Sequence, residues 1–397
     1  MKAILQTFKS GTGDCIFLQL VDGAKQFVLM TDCGCYESNI RNFVENTLHN
    51  HIDLLIVTHI DSDHILGLVQ MIAETPNLEI CKIIFNCYQR PQSGTLKTLT
   101  PAQKKRLDGI KSEIACVFHD VVEHEVSAPQ AIYGLSKTIL STPVLKSVWQ
   151  RGYYALDATK EEDLKEWGTI KFIAPTMKEI QELDKEFRSI LFNELFIEDD
   201  NVVFNDSESL YEMLIRYTNL YAGENAEEHE TAGEDLEQSL VDAIDKDVKE
   251  SEITRSNKSS LAFVWEKGDK KILFLGDAKP SLVRKGLLHH YPTGPWPMAF
   301  EAIKVSHHGS HNNTTIGLME LVDSEHFFVT GGEEGTRPSK AALGRILLSE
   351  LKCGISQRTL HVNYQTDLTN LLANDQKLQN KFHFIIDQTE NRHEFTL

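Results

Sequence analysis

The sequence predicts an α/β sandwich built in two halves around a middle segment. Three observations point there. Short β-rich runs alternate with helical patterns from residue 1 to about 175, the β-rich pattern resumes near 253, and strands in both zones run out into polar clusters. Strand ends that converge on one cleft are where α/β folds place their sites.

Taken in order, "MKAILQTFKSGTGDCIFLQL" reads as two short strands around a Gly turn; Gly11–Gly13 is too short for a phosphate loop. "QFVLMTD" is a strand, "NIRNFVENTL" a helix and "IDLLIVT" a buried strand; "ILGLVQMIAE" has helical spacing and "EICKIIFN" is again a strand. "MKEIQELDKEFRSILFNELFIEDD" reads as a charged helix and connection. The stretch after it loses clean periodicity and turns acidic, so it is expected to be a partly flexible insertion or cover. In the last zone, "SSLAFVWEKGDKKILFLGD" is a hairpin turning at "KGDK", while "FEAIKVSHHGSH" and "SEHFFVTGG" are strands ending in polar residues.

Composition bounds the function. With 397 residues, 41% hydrophobic and 25% charged, the chain can bury a substantial core. No apolar run approaches the roughly 20 residues that cross a bilayer, and the N-terminus lacks a signal-peptide pattern, so no membrane role and a cytoplasmic location are expected. Seven cysteines (Cys15, Cys33, Cys35, Cys81, Cys87, Cys116, Cys353) without C-x-x-C spacing argue against a disulfide framework or zinc ribbon. The net charge of −18 excludes a broad basic footprint, yet from Glu224 to Glu252 twelve acidic residues face only Lys246 and Lys249. More than half of the imbalance lies in that stretch, so a local positive groove elsewhere is compatible with the total.

Four clusters sit where strands run out: Asp32 in "LMTDCG", the group "THIDSDH", Asp277 in "ILFLGDAKP", and His307 with His308 in "IKVSHHGSH". His59, Asp61, Asp63 and His64 are costly beside a core unless a cation offsets their desolvation. In an extended turn, residues two apart share a side, so His59, Asp61 and Asp63 can face one cavity, with His64 reaching in from the next helix. Imidazole nitrogens and carboxylate oxygens suit zinc, manganese or iron.

These stretches, together with "FKSGTGDCIFLQL", "SNKSSLAFVWEKGDKKILFLGDAKPS" and "VTGGEEGTRPSKAALGRIL", resemble the metallo-β-lactamase fold. They are most similar to the stand-alone metallo-hydrolases related to ComEC-type DNA-uptake proteins. The resemblance covers most of 1–90 and 253–350. It implies an αββα four-layer sandwich forming one domain over 1–397, with an N-terminal half to about 177, an acidic insertion over about 178–252 and a C-terminal half from about 253. It further implies that His59 and Asp61 help form a first metal position and Asp63 and His64 a second. Asp277 would bridge them, His307 or His308 would complete the second, and Asp32 would lie in the outer shell. One or two divalent ions, manganese or zinc, are expected.

The chain departs from the pattern in three places. Asp61 stands where many members carry a second histidine, which tilts the first position towards harder ions such as manganese or magnesium. No clear central histidine ligand lies between Leu66 and Gly276; His119 and His124 sit in a charged amphipathic setting that suits exposed surface, and Asn86 at a strand end is a candidate metal or substrate contact. Arg337-Pro338 replaces a common His-Pro, and its guanidinium fork suits phosphate oxygens.

The leading expectation is a metal-dependent phosphodiesterase or nuclease. Asp63 would act as base, and His308 or Arg337 would stabilise developing charge. Two alternatives are a hydrolase of lactones or thioesters, and a weakly catalytic scaffold or regulatory subunit of a bacterial defence assembly. The acidic insertion is a candidate docking surface for a protein partner.

Overall fold

The computed structural model describes all residues except 90–93, 122–127, 199–201, 220–234, 333–336 and 390, and leaves out the side chains of 116–121 and 128–133 as well. His124, the side chain of His119 and the acidic run 224–234 therefore lie outside the described residues.

Two mixed sheets face each other. The first uses Lys2–Thr7 (β1), Ile16–Asp22 (β2), Lys25–Thr31 (β3), Leu54–Val57 (β4), Ile83–Phe85 (β5) and Trp149–Gln150 (β6). The second uses Glu161–Asp163 (β7), Thr169–Ala174 (β8), Ala262–Lys267 (β9), Lys270–Phe274 (β10), Ala302–Lys304 (β11), His326–Val329 (β12), Arg358–Val362 (β13) and Phe384–Asp387 (β14). A last strand, Arg392–Thr396 (β15), returns to the first sheet beside β1, giving the orders β15-β1-β2-β3-β4-β5-β6 and β7-β8-β9-β10-β11-β12-β13-β14. β1 to β3 and β7 to β10 are antiparallel, whereas β3 to β6 and β10 to β14 run parallel. The chain is not divided cleanly between them: β7 and β8 precede residue 177 and β15 follows everything else.

Burial sorts into three apolar layers, which makes the structure the four-layer αββα sandwich that the resemblance implies. Leu5, Leu18, Leu29 and Ile56 meet Phe172, Phe263 and Phe274 between the sheets. Phe17, Leu55 and Val57 point the other way, under helices, and Val264, Leu273 and Ile303 do the same on the second sheet. A strand buried on both faces reads as a continuous apolar run, which is why "LLIV" shows no alternation. Phe263 and Phe274 stack at 4.6 Å between centroids across the hairpin that turns at Gly268.

The middle zone contains the expected charged helix, and the described parts of the stretch after it pack into the fold. Helix α1 (Ser62–Glu74) follows the motif loop; Met177–Leu195 (α2) opens on a capping box of Thr176 and Glu179. α2 buries Leu183, Phe187, Ile190 and Leu191 at helical spacing, and Ser207–Asn219 (α3) lays Leu210, Tyr211, Leu214 and Ile215 into the same core. Leu236–Ile244 (α4) presses Leu240 against Gly344 of Lys340–Leu347 (α5); a Cβ on Gly344 would stand 2.8 Å from the Leu240 carbonyl. Arg345 of α5 then donates to the carbonyls of Ile244 and Lys246 at 2.9 and 2.6 Å. Acidic composition marked solvent-facing residues, while the few apolar ones at the right spacing do the anchoring. "NIRNFVENTL" is also less regular than expected: one α-helical turn, Ser38–Asn42, passes into a π-helical one, Phe43–Thr47.

At the edge where β15 rejoins the first sheet, His326, His361 and His393 stack together, the rings of His326 and His393 3.6 Å apart. His361 Nδ1 donates to Asp387 at 2.9 Å and lies 3.0 Å through Nε2 from His326 Nδ1. Burial, then the neighbouring imidazoles, lowers His326 to about 3; burial, then His361, lowers His393 to about 4. Both values lie below the ordinary 6.5. The unfolded chain thus takes up protons that the folded one refuses, and stability falls as pH drops from 6.5 towards 4. Thermal melts of His393→Phe should show a shallower loss of Tm across that window than the parent; equal slopes would remove the stack as a source of acid sensitivity.

Candidate metal centre

Most of the chemistry-bearing side chains enter the site from the carboxyl end of a strand, while Asp63 and His64 come from the first turn of α1. Asp32 follows β3, Thr58 and His59 follow β4, Asp277 follows β10, His307 and His308 follow β11, and Thr330 follows β12. Parallel strands bring these ends to one side of the sandwich. Three of the residues pay conformational strain to be there: Asp32, His307 and His308 have φ of 57, 50 and 55°, in the left-handed region that non-glycine residues avoid. The "GTGD" turn is pressed onto the motif loop, since a Cβ on Gly13 would lie 1.6 Å from the Asp63 carbonyl oxygen and one on Gly34 2.2 Å from it.

The imidazoles are oriented from behind. Asp32 accepts from the Thr58 amide at 2.8 Å, the Thr58 hydroxyl at 2.6 Å and His64 Nδ1 at 2.8 Å. Because its proton goes to Asp32, the Thr58 hydroxyl accepts from His59 Nδ1 at 3.0 Å. His308 Nδ1 donates to the Thr330 carbonyl at 2.9 Å, and His307 Nδ1 to Asn313 Oδ1 at 3.0 Å. Each Nδ1 is committed to an acceptor, so each Nε2 turns a lone pair into the cavity.

Those lone pairs meet carboxylates. Asp277 Oδ2 is 3.8 Å from His59 Nε2 and 3.5 Å from both His64 Nε2 and His307 Nε2. Asp63 Oδ2 is 3.6 Å from His64 Nε2 and 3.3 Å from His308 Nε2, and Asp61 Oδ2 is 3.5 Å from His59 Nε2. His59 Nε2, His64 Nε2 and Asp277 Oδ1 are buried with no hydrogen-bond partner. His308 and Asp63 are within hydrogen-bond reach, and the spacings as a set match the about 3.4 Å between neighbouring donors of one tetrahedral ion at about 2.1 Å. Two donor triads result, His59–His64–Asp277 and Asp63–His64–His308. The residues fit a divalent metal.

Electrostatics agree. Burial pushes the Asp277 carboxyl up, but His307 and His64 carry it well below the usual range; burial pushes Asp63 up, and His64 and His308 likewise pull it down. Burial works against protonated His64, yet Asp63, Asp277 and Asp32 raise it well above 6.5. Without another cation, protons on imidazole must compensate these acids, so a metal would displace protons as it binds.

The structure places each expected residue as follows. His59, Asp61, Asp63, His64, Asp277, His307 and His308 come together in one cluster, with Asp32 behind it. Of the two adjacent histidines, His308 joins the Asp63–His64 triad, whereas His307 Nε2 also meets Asn257 Nδ2 at 3.2 Å. Arg337 lies beside His307, donating to its carbonyl at 3.4 Å; burial lowers it to about 10 and the Asp63 charge opposes the drop, which leaves it a cation at neutral pH. Asn86 is engaged elsewhere: its amide donates to the Tyr154 carbonyl at 2.7 Å and accepts from the Tyr154 amide at 2.9 Å, holding the end of β5 to a loop.

Several contributors escaped sequence reading. Thr58 and Asn313 carry no pattern of their own. Buried Asp14, from "GTGD", pairs with buried Lys304, accepts from Thr330 and lies 3.3 Å from His308 Nδ1. The middle zone enters as well: Asn219 of α3 donates to Asp61 Oδ1 at 2.7 Å beside Ser256 at 2.5 Å, and Arg216 donates to Ser62 at 3.0 Å. Arg216 also stands 4.0 Å from Glu212, whose carboxylate receives the amides of Leu135 and Ser136.

No protein-family model matches the chain, and no curated protein sequence matches it. Three solved structures align over 100% of this chain. A diphosphatase from the PhnP family aligns over 98% of its own length at 8% identity and TM-score 0.37. The metallo-β-lactamase fold protein YhfI from Bacillus subtilis aligns over 100% at 7% and 0.34. A variant of the CmlA β-hydroxylase aligns over 54% at 9% and 0.32. Overlaps this loose carry nothing about activity; the fold rests on the sheets and layers themselves.

Thr58→Val keeps shape but removes the hydroxyl between His59 and Asp32. Metal affinity, read by competition with a chromogenic chelator, should fall about 10- to 100-fold, as when supporting partners of metal ligands are removed. Unchanged affinity would show that the Thr58 hydroxyl does not orient His59.

Proposed function

We propose that the chain is a metal-dependent hydrolase of phosphodiesters, with a nucleic acid or nucleotide as substrate. The observation that carries this reading is the convergence of imidazole lone pairs on Asp277, after a strand end, and Asp63, in the first turn of α1, with Arg337, a buried cation, beside them. The likeness to ComEC-type hydrolases adds the nucleic-acid direction. In this reading His59, Asp61, Asp63, His64, His308 and Asp277 would together hold one or two ions. His308 would thus take a ligand's role, and His307 Nε2 stands 3.5 Å from Asp277 on the other side.

A divalent metal, manganese or zinc, supplies Lewis acidity that activates water at neutral pH and offsets phosphate charge. The chain's own groups supply position and polarity. Asp63, 30% exposed and the most open of the cluster's acids, accepts a hydrogen bond from the attacking water and aims it at phosphorus. The guanidinium of Arg337 pairs with non-bridging phosphate oxygens as charge grows on them. Buried Asp14 and Thr330 keep His308 aligned. The phosphorus–oxygen bond to the leaving group breaks as water's oxygen bonds to phosphorus.

A carbonyl substrate, the second reading, gives Arg337 much less to do. Bis-p-nitrophenyl phosphate, short oligonucleotides, a lactone and a thioester should therefore be compared with and without chelator. Phosphodiester turnover should be chelator-sensitive. It should fall at least about a hundredfold in Asp277→Ala, which removes several kcal/mol of stabilisation. Arg337→Met should cost about 10- to 100-fold in kcat/KM on phosphodiesters, the worth of a charged hydrogen bond, and little on esters. Faster metal-dependent turnover of lactone or thioester, indifferent to Arg337, would favour the carbonyl reading.

A further inference from the structure

A second group of metal-type side chains lies at the opposite end of β4 from the cluster just described. The short segments His51–Ile52 and Glu79–Ile80 pair in parallel, His51 opposite Glu79 and Ile52 opposite Ile80. The triplets "HID" at 51–53 and "EIC" at 79–81 repeat one pattern: a buried isoleucine flanked by outward-pointing residues. His51, Asp53, Glu79 and Cys81 therefore share one solvent-facing surface.

Their geometry goes beyond proximity. Glu79 Oε2 lies 3.1 Å from His51 Nδ1 and Asp53 Oδ1 lies 3.2 Å from Nε2, so the imidazole is held between two carboxylates. That arrangement, a carboxylate behind an imidazole, is how metal-binding histidines are held. On the Nε2 side stand Asp53 Oδ1 at 3.2 Å and Cys81 Sγ at 4.0 Å. Donors sharing one tetrahedral zinc are separated by about 3.4 Å for nitrogen and oxygen and about 3.6 Å for nitrogen and sulfur. One donor each from His51, Glu79 and Cys81 also falls within 4.8 Å of the other two. Asp53 is not loose, since Oδ2 accepts the Val28 amide at 2.7 Å, and the Cys81 amide is tied to the Ile52 carbonyl at 2.9 Å.

We infer that this face is a separate metal site, binding one zinc-class ion through donors of His51, Glu79 and Cys81, with Asp53 steadying the imidazole. A nitrogen, a thiolate and a carboxylate select zinc over magnesium or calcium. The ion clamps the strand pair to the start of β4, the strand that delivers His59, without entering the reaction. The thiol is pushed up by burial and then by Glu79 and Asp53, so it stays protonated until a metal displaces the proton. Among the described residues the donor groups around Asp277 contain no cysteine, so a thiolate signal is distinguishable from metal held there, whatever the substrate proves to be.

The test uses the full chain, reduced and stripped of metal, titrated with cobalt(II) or cadmium(II) while thiolate-to-metal charge-transfer absorption is followed. The parent should show a band saturating at one equivalent. Cys81→Ser should abolish it, His51→Ala should weaken binding by more than about tenfold, and Asp277→Ala and Cys353→Ser should leave it intact. Absence of the band in the folded parent, or its survival in Cys81→Ser, would overturn the assignment.

Discussion

Acceptors facing acceptors is the constraint on which the site depends. Asp32, Thr58, Thr330 and Asn313 each take an Nδ1 proton, and that leaves four Nε2 lone pairs looking at Asp277 and Asp63. Such a nest is repulsive unless positive charge fills it, either as protons on imidazole or as a metal. The left-handed backbone at Asp32, His307 and His308 is held by the same contacts, and it lets consecutive residues at a strand end point into one cavity.

The middle segment reaches the cluster through Asp61. Asp61 commits Oδ1 to Asn219 and Ser256, so Oδ2 is the oxygen turned to His59. Glu212 and Arg216 join α3 to the amides of Leu135 and Ser136 on one side and to Ser62 on the other. A segment whose composition suggested a mobile cover is, through α3, part of the wall that sets a ligand's orientation. Arg216 is buried, so its charge is steadied by Glu212 and Asp61 rather than by water.

Legibility followed the physics of each signal. The strands that carry "LLIVTHIDSDH", "ILFLGD" and "IKVSHH" were readable because apolar runs end abruptly in residues that a core rejects. The four-layer fold and the order of the clusters were available from family resemblance, and the layers bear the fold out. Thr58, Asn313 and Asp14 were invisible because a single hydroxyl, amide or carboxylate has no periodicity, and its role appears only once two distant strand ends meet. Asn86 holds a loop through Tyr154, and in sequence a strand-end asparagine that does so looks the same as one facing a site. The burial of α2 and α3 was obscured by their charged faces, although Leu183, Phe187 and Ile190 keep a helical interval that averages hide.

The central claim is that the cluster around Asp277 holds metal. Element-resolved mass spectrometry of the purified protein, beside a variant carrying both Asp63→Ala and His64→Ala, addresses it most directly. The account predicts manganese or zinc near one or two equivalents in the parent, in excess of whatever the Cys81 face retains, and loss of that excess in the variant. Equal metal in both proteins, or none in the parent after manganese and zinc have been supplied, would contradict it.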